Sequence, residues 1–354
     1  MKRSAAILFT LTMVGTLCLA GCGQKAGNTT QSPAKANTSE AADDMAKTDP
    51  IVVSIGYDNN PGEPVDLACQ EWKRLVEEKT DGAIVFELYP SSQLGKMTDL
   101  VDQALSGDAV IMGVTAGYFA DLGVNGFDVV LAPYLINSYD EYDKVHESDW
   151  WKGKEEELEN VGLKIVSGRW HYGVRHLLSK RPVDSVADMK GLKIRTPQET
   201  NRIRGMEALG AVAVPMSLSD VYVALQQGTI DAVENPLNVL DSGAFYEVAK
   251  ELTLTAHSFD VLEWSIGTKF FDTLTLEQQQ AILESGEEAA QYFNAHIDAV
   301  ADEALEKLKS KGVKVHEIAD LQEFRDASEG YYDAPEFAAW PEGLRETIIG
   351  IINE

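Results

Sequence analysis

Between Lys164 and Arg204 ten Lys and Arg stand against only three acids, Asp184, Asp188 and Glu199, in a chain of 354 residues and net charge -27. An acidic protein that is to hold an anion needs such a local positive focus, because its overall field repels the ligand. Most of these charges read as decoration of a solvated face, Arg202 among them. Arg175 and Arg195 stand apart. Arg195 ends the apolar run Leu192-Lys193-Ile194, just before Thr196-Pro197. In open α/β sheets ligands bind beyond the carboxyl ends of strands. A guanidinium there can fork onto a carboxylate with two parallel bonds, which an ammonium cannot do.

Other chemistries find little support. The sequence has no HExxH, no GxGxxG after a strand, no GxxxxGK[ST], no GxSxG and no EF-hand loop. His171 and His176 are five apart, not the four that would align two metal ligands on one helix face. They read as surface or supporting residues. No metal, no cofactor and no catalysis are expected. The acidic balance argues against nucleic acid and anionic lipid as partners.

The three cysteines, Cys18, Cys22 and Cys69, build neither a disulfide framework nor a zinc cluster. Met1-Lys2-Arg3 followed by the apolar Ala5–Leu19 has the form of a signal sequence, too short for a membrane span of about 20 residues. It ends in Leu19-Ala20-Gly21-Cys22, which resembles a bacterial lipobox. That resemblance implies cleavage after Gly21 and a lipid anchor on Cys22, hence a site outside the cytoplasm. Gly23–Asp49 has one large apolar residue, Met45, and reads as a flexible tether. Cys69 falls in a helical pattern and reads as a small buried residue.

The remainder must supply the scaffold. Apolar and β-branched runs predict strands at 51–56, 84–89, 109–114, 163–166, 192–195, 230–233 and 261–267. Helical periodicity falls at 67–79, 96–105, 200–209, 219–227 and 236–249. The alternation indicates parallel βαβ units and an α/β fold. The stretch 275–310 opens with a capping box, Thr275-x-x-Gln278, contains no proline, and predicts one helix of roughly 54 Å. A helix that long would cross two lobes.

Three motifs then stand in order: Tyr89-Pro90-Ser91-Ser92-Gln93-Leu94-Gly95; Asp188-Met189-Lys190-Gly191-Leu192-Lys193-Ile194-Arg195-Thr196-Pro197; and Pro215–Gly228 running into Glu234-Asn235-Pro236-Leu237. Together they resemble the substrate-binding proteins of TRAP (tripartite ATP-independent periplasmic) transporters, from about Ile51 to the C-terminus. The resemblance implies a periplasmic-binding-protein-like fold: two α/β lobes, a ligand cleft between them, and a long helix spanning both. It divides the chain into a leader (1–21), a tether (22–50), lobe I (51–172 plus 261–300) and lobe II (173–260 plus 301–354). It also implies that Arg195, Arg175 and Asn235 clamp a substrate carboxylate, Arg175 through a Gly-x-Arg pattern and Asn235 through Glu-Asn-Pro.

Leu218 stands where the family often has an aromatic residue, which would reshape the cleft. Asp58 and Glu63 would bring carboxylates to the wall of lobe I, suited to sugar hydroxyls or an amine. Trp170 and Tyr172 could stack on a sugar face. The function implied is a monomeric, lipid-anchored receptor that delivers a small carboxylate, a sugar acid before a dicarboxylate or oxo acid, to the transporter's membrane subunits. The alternative is a lipoprotein that senses the same ligand and signals to a membrane receptor.

Overall fold

The computed structural model describes residues 49–354. The leader, Cys22 and nearly all of the tether lie outside the described residues. Among the described residues nine strands are formed: β1 (Ile51–Gly56), β2 (Ile84–Tyr89), β3 (Val110–Val114), β4 (Leu163–Ser179), β5 (Lys193–Thr196), β6 (Val212–Pro215), β7 (Ala232–Pro236), β8 (Glu251–Gly267) and β9 (Lys314–His316). Their order in one sheet is β2-β1-β3-β8-β4-β7-β5-β6, with β9 beside β8. At one end β1 pairs in parallel with β2 and β3. At the other β5 pairs in parallel with β6 and β7. These are the expected βαβ groups. β3 and β7 are buried along their whole length, as strands covered on both faces are.

β4 and β8 join the two groups. Each has 17 residues and the two pair antiparallel. The expected strands at 163–166 and 261–267 are only the ends of these long ones. Charged and polar residues such as Arg175, Ser258 and Asp260 interrupt the apolar pattern where the strands pass from one group to the other, so the periodicity stops there while the backbone ladder continues. The register shifts four times along the pair, between 165 and 177 on β4. Such irregularities add local twist and bend. At this crossing Gly173 has φ 132°, and a Cβ there would lie 2.7 Å from the Cβ of Pro236 on β7. Only glycine satisfies both conditions.

Each half has its own apolar core. In the first, Trp72, Trp264 and Phe293 surround Trp170, and Phe86 packs on Trp72. In the second, Leu178, Val233 and Leu252 meet Leu225, Leu240 and Leu308. Cys69 is fully buried in helix Pro64–Lys79, and burial pushes its thiol well above its ordinary pKa.

Two expectations need correction. The stretch 275–310 is two helices, Leu276–Asn294 and Ile297–Ser310, interrupted at Ala295-His296. The first packs on helix Pro64–Lys79 and β4, the second on helix Leu237–Ser242. Phe293 and Ile297, either side of the break, lie in the first core, and Leu308 lies in the second. The C-terminal segment also divides. Residues 301–328 pack on the second half, with Phe324 beside Met206 and Ile194. Tyr331, Phe337, Leu344 and Ile348 return to the first half and join Val110, Met112 and Phe127. Assigning all of 301–354 to lobe II was therefore wrong: the apolar face of helix Leu344–Asn353 is buried on the other half.

Candidate functional site

The carboxyl ends of parallel strands from both halves meet around one open cleft, where open α/β sheets bind their ligands. From the first half come Tyr57, Asp58 and Asn59 after β1, and Val114-Thr115 at and after the end of β3. From the second come Arg195 and Pro197-Gln198-Glu199 on and after β5, Met216-Ser217-Leu218 after β6, and Asn235 on β7. Arg175 and Tyr172 on β4, with Asp260 and Leu262 on β8, form the floor.

The motif Tyr89–Gly95 serves this cavity from behind. Ser91 and Ser92 have φ 55° and 56°. That turn lets their amides donate to the carbonyls of Asn59 and Tyr57 at 2.8 and 3.0 Å, while the Ser92 hydroxyl donates to Asp58 Oδ1 at 2.6 Å. Asp58 is thereby held at the wall, and its other carboxylate oxygen has no partner among the described residues. Glu63 accepts from the Asn59 amide at 2.7 Å and from the Asn60 N–H at 2.8 Å. It braces the 57–63 loop and does not line the main cavity.

The two arginines differ in their partners. The Arg175 guanidinium donates to Glu234 Oε2, to Glu234 Oε1 at 2.7 Å, to the Glu234 carbonyl at 2.9 Å and to Asp260 Oδ2 at 2.5 Å. Four of its five N–H groups are committed, so Arg175 reaches the cavity with most of its donors already spent. Burial works to raise the Glu234 carboxyl, but Arg175 and His257 beside it hold it well below the usual range. Arg195 is equally buried, with 4% of its surface exposed. It makes only one hydrogen bond, from Nε to the Met216 carbonyl at 3.0 Å. Both terminal nitrogens lack partners among the described residues, and no carboxylate pairs with it. Burial lowers its pKa, opposed in part by the charge of Glu234; an arginine remains cationic all the same. Asn235, 3% exposed, has a buried amide nitrogen with no acceptor. Arg195 thus presents unpaired charged donors to the cleft, and the buried Asn235 donor without an acceptor lines the same cleft; an anionic ligand would satisfy both.

The other expected residues fare unevenly. Leu218 lines the cavity and leaves it open toward a second recess that includes Ser219 and Tyr222. Tyr172 lines it too, its hydroxyl accepting from the Asn59 amide at 3.2 Å. Trp170 does not. It is fully buried among Trp72, Trp264 and Phe293, with its indole N–H on Ser167 at 2.7 Å. Stacking on a ligand was the wrong expectation, because Trp72, Trp264 and Phe293 enclose this side chain in the first core. Arg202 is not a solvated charge either. It is 5% exposed, bonded to Ser258 at 2.9 Å and paired with Asp260.

Glu199 was not singled out as a site residue. It is 2% exposed and accepts from the Thr115 hydroxyl, while its Oε1 has no partner among the described residues. Burial pushes its carboxyl up to about 7, against the pull of Arg202 and Thr115. Gly117 makes the room: a Cβ there would lie 2.1 Å from Glu199 Oε2. The available signal was its place as the one acid within the basic stretch that follows a strand end. Tyr118, whose phenol is pushed up mainly by burial, also lines the cavity and was also missed.

Comparison with known proteins fits this geometry. The 2,3-diketo-L-gulonate-binding periplasmic protein YiaO of Escherichia coli K12 is 32% identical over 276 residues, 77% of this chain and 83% of its own. A TRAP periplasmic solute-binding protein of Actinobacillus succinogenes, solved with bound L-galactonate, superposes with a TM-score of 0.82 at 38% identity, covering 85% of this chain and 99% of that one. A second, from Ochrobacterium anthropi with bound L-fuconate, gives 0.82 at 35% identity, covering 86% and 100%. Residues 55–338 match the family described as bacterial extracellular solute-binding protein, family 7. The chain belongs to that family, and is a two-lobed solute receptor of the TRAP transporters that works outside the cytoplasm.

Proposed function

We propose that this receptor binds a sugar acid, an aldonate or uronate, through its carboxylate and delivers it to the membrane subunits of its transporter. The observation that carries the reading is the pair of free nitrogens on Arg195, a buried cation with a single backbone bond. A carboxylate can accept two parallel N–H bonds from that edge and a third from the Asn235 amide. Arg175 braces the site through Glu234 and Asp260, rather than forking onto the ligand itself. Hydroxyl groups of the sugar chain meet Asp58, Glu199 and Tyr118. The L-galactonate and L-fuconate bound by the two solved relatives are ligands of this class.

Capture proceeds by hinge closure where β4 and β8 cross between the halves, around Gly173 and its register partner Asp260. Calorimetry with an aldonate and uronate panel tests the site. Arg195→Ala should lose about 2–5 kcal/mol of affinity, mostly through faster dissociation, and Arg195→Lys should recover only part of it. Unchanged affinity in Arg195→Ala, with the protein folded, overturns the reading. Anchoring by a lipid on Cys22 belongs to the same reading and is tested separately: Cys22→Ser should move the protein from the membrane pellet to the supernatant.

A further inference from the structure

Five charged side chains line the cavity: Asp58, Arg175, Arg195, Glu199 and Asp260. Two of them are spent on each other's surroundings. Arg175 is occupied by Glu234 and Asp260, and Asp260 also holds Arg202. What remains for a ligand is one cation, Arg195, and two carboxyl groups, Asp58 and Glu199. Each of these keeps one oxygen free of any partner among the described residues, and each is held in place by a hydroxyl donor, Ser92 for Asp58 and Thr115 for Glu199. They come from opposite halves and line the same cavity as Tyr118 and Arg195.

We propose that this wall is a charge filter: the cleft accepts acids with a single carboxylate and a hydroxylated tail, and Asp58 and Glu199 exclude diacids. The inference rests on the sugar-acid reading above and narrows it. A polyhydroxy tail supplies O–H donors, and a carboxylate oxygen without a partner is an acceptor waiting for one. A second carboxylate at the far end of the ligand supplies no donor. It would be desolvated against two like charges, with no further cation free to receive it. Gly117 is part of the device, because any side chain there would displace the Glu199 carboxyl. Burial pushes Glu199 up to about 7, so the filter is tested at pH 8, above that value.

The test is a set of matched pairs at pH 8. L-galactonate is compared with galactarate and D-gluconate with D-glucarate, so that chain length stays constant and only the far end changes. D-galacturonate and D-glucuronate serve as further monoacids. For the monoacid that binds most tightly, the matched diacid should bind at least 100-fold more weakly to the wild-type protein. In Asp58→Asn/Glu199→Gln the gap should shrink to below tenfold, through weaker monoacid and stronger diacid binding together. A diacid within threefold of its monoacid in the wild-type protein overturns the filter, and so does a gap that survives the double substitution. If diacids bind well and Arg195→Ala abolishes both classes, the carboxylate site stands and only the filter fails. If no sugar acid of either class binds, the underlying reading fails with it.

Discussion

Arg175 and Arg195 are both buried and both line the cleft, yet their surroundings are built for opposite purposes. Around Arg175 the protein supplies every counter-charge itself. Glu234 and Asp260 take its fork, Arg202 takes the other face of Asp260, and His257 lies 3.2 Å from Glu234. Around Arg195 the protein supplies one carbonyl and leaves the rest of the guanidinium unpaired. A satisfied network rigidifies the place where the two halves join. An unsatisfied cation stores interaction for a partner from outside. The two arginines look alike in sequence, and what separates them is which acids the crossing strands bring into reach.

The largest expected effect exchanges the two roles. Arg175→Ala leaves Glu234 and half of Asp260 buried without their cation, and should cost about 3–5 kcal/mol of stability in urea unfolding without ligand. Arg195→Ala in the same experiment should change stability by about 1 kcal/mol or less, since it removes one hydrogen bond and an unpaired buried charge. If both substitutions destabilise the ligand-free protein equally, the distinction between bracing and binding arginine collapses.

A second effect, of about 3 kcal/mol, concerns pH. Glu199 moves from an ordinary value of 4.5 to about 7 on folding. Between those values the native state keeps a proton that the unfolded chain has released, so stability is highest below pH 4.5 for this group and falls as pH rises to 7. Asp128, pushed up to about 7 by burial, has the same sign. Urea midpoints at pH 5 and pH 8 should differ less in Glu199→Gln than in the wild-type protein. An identical difference would mean that Glu199 is already ionised at pH 5. The smallest effect is expected at Asn235. With no acceptor for its buried amide nitrogen, Asn235→Ala should leave stability nearly unchanged and weaken sugar-acid binding about tenfold, the worth of one neutral hydrogen bond. A large loss of stability with unchanged affinity would place Asn235 in the frame instead of the site.

Much of this was legible along the chain, because it depends on local order. Alternating strands and helices, the charge focus at 164–204, Arg195 at a strand end and the three motifs are all properties of neighbours in sequence. Local periodicity also placed β1 and β2 at their observed bounds. The rest depended on contacts between residues far apart. Trp170 and Tyr172 are two apart on one strand and both join the first core, yet only Tyr172 also reaches the cleft. Arg202 reads as a helix surface charge until Asp260, 58 residues away, arrives beside it. Thr115 holds Glu199 across 84 residues of chain. The helix Leu344–Asn353 has an apolar stripe that specifies burial but not against which half. Sequence patterns set which side chains must be buried and where a strand ends. Which buried charges neutralise each other, and which single cation is left for a ligand, is decided only when the two long strands bring both halves together.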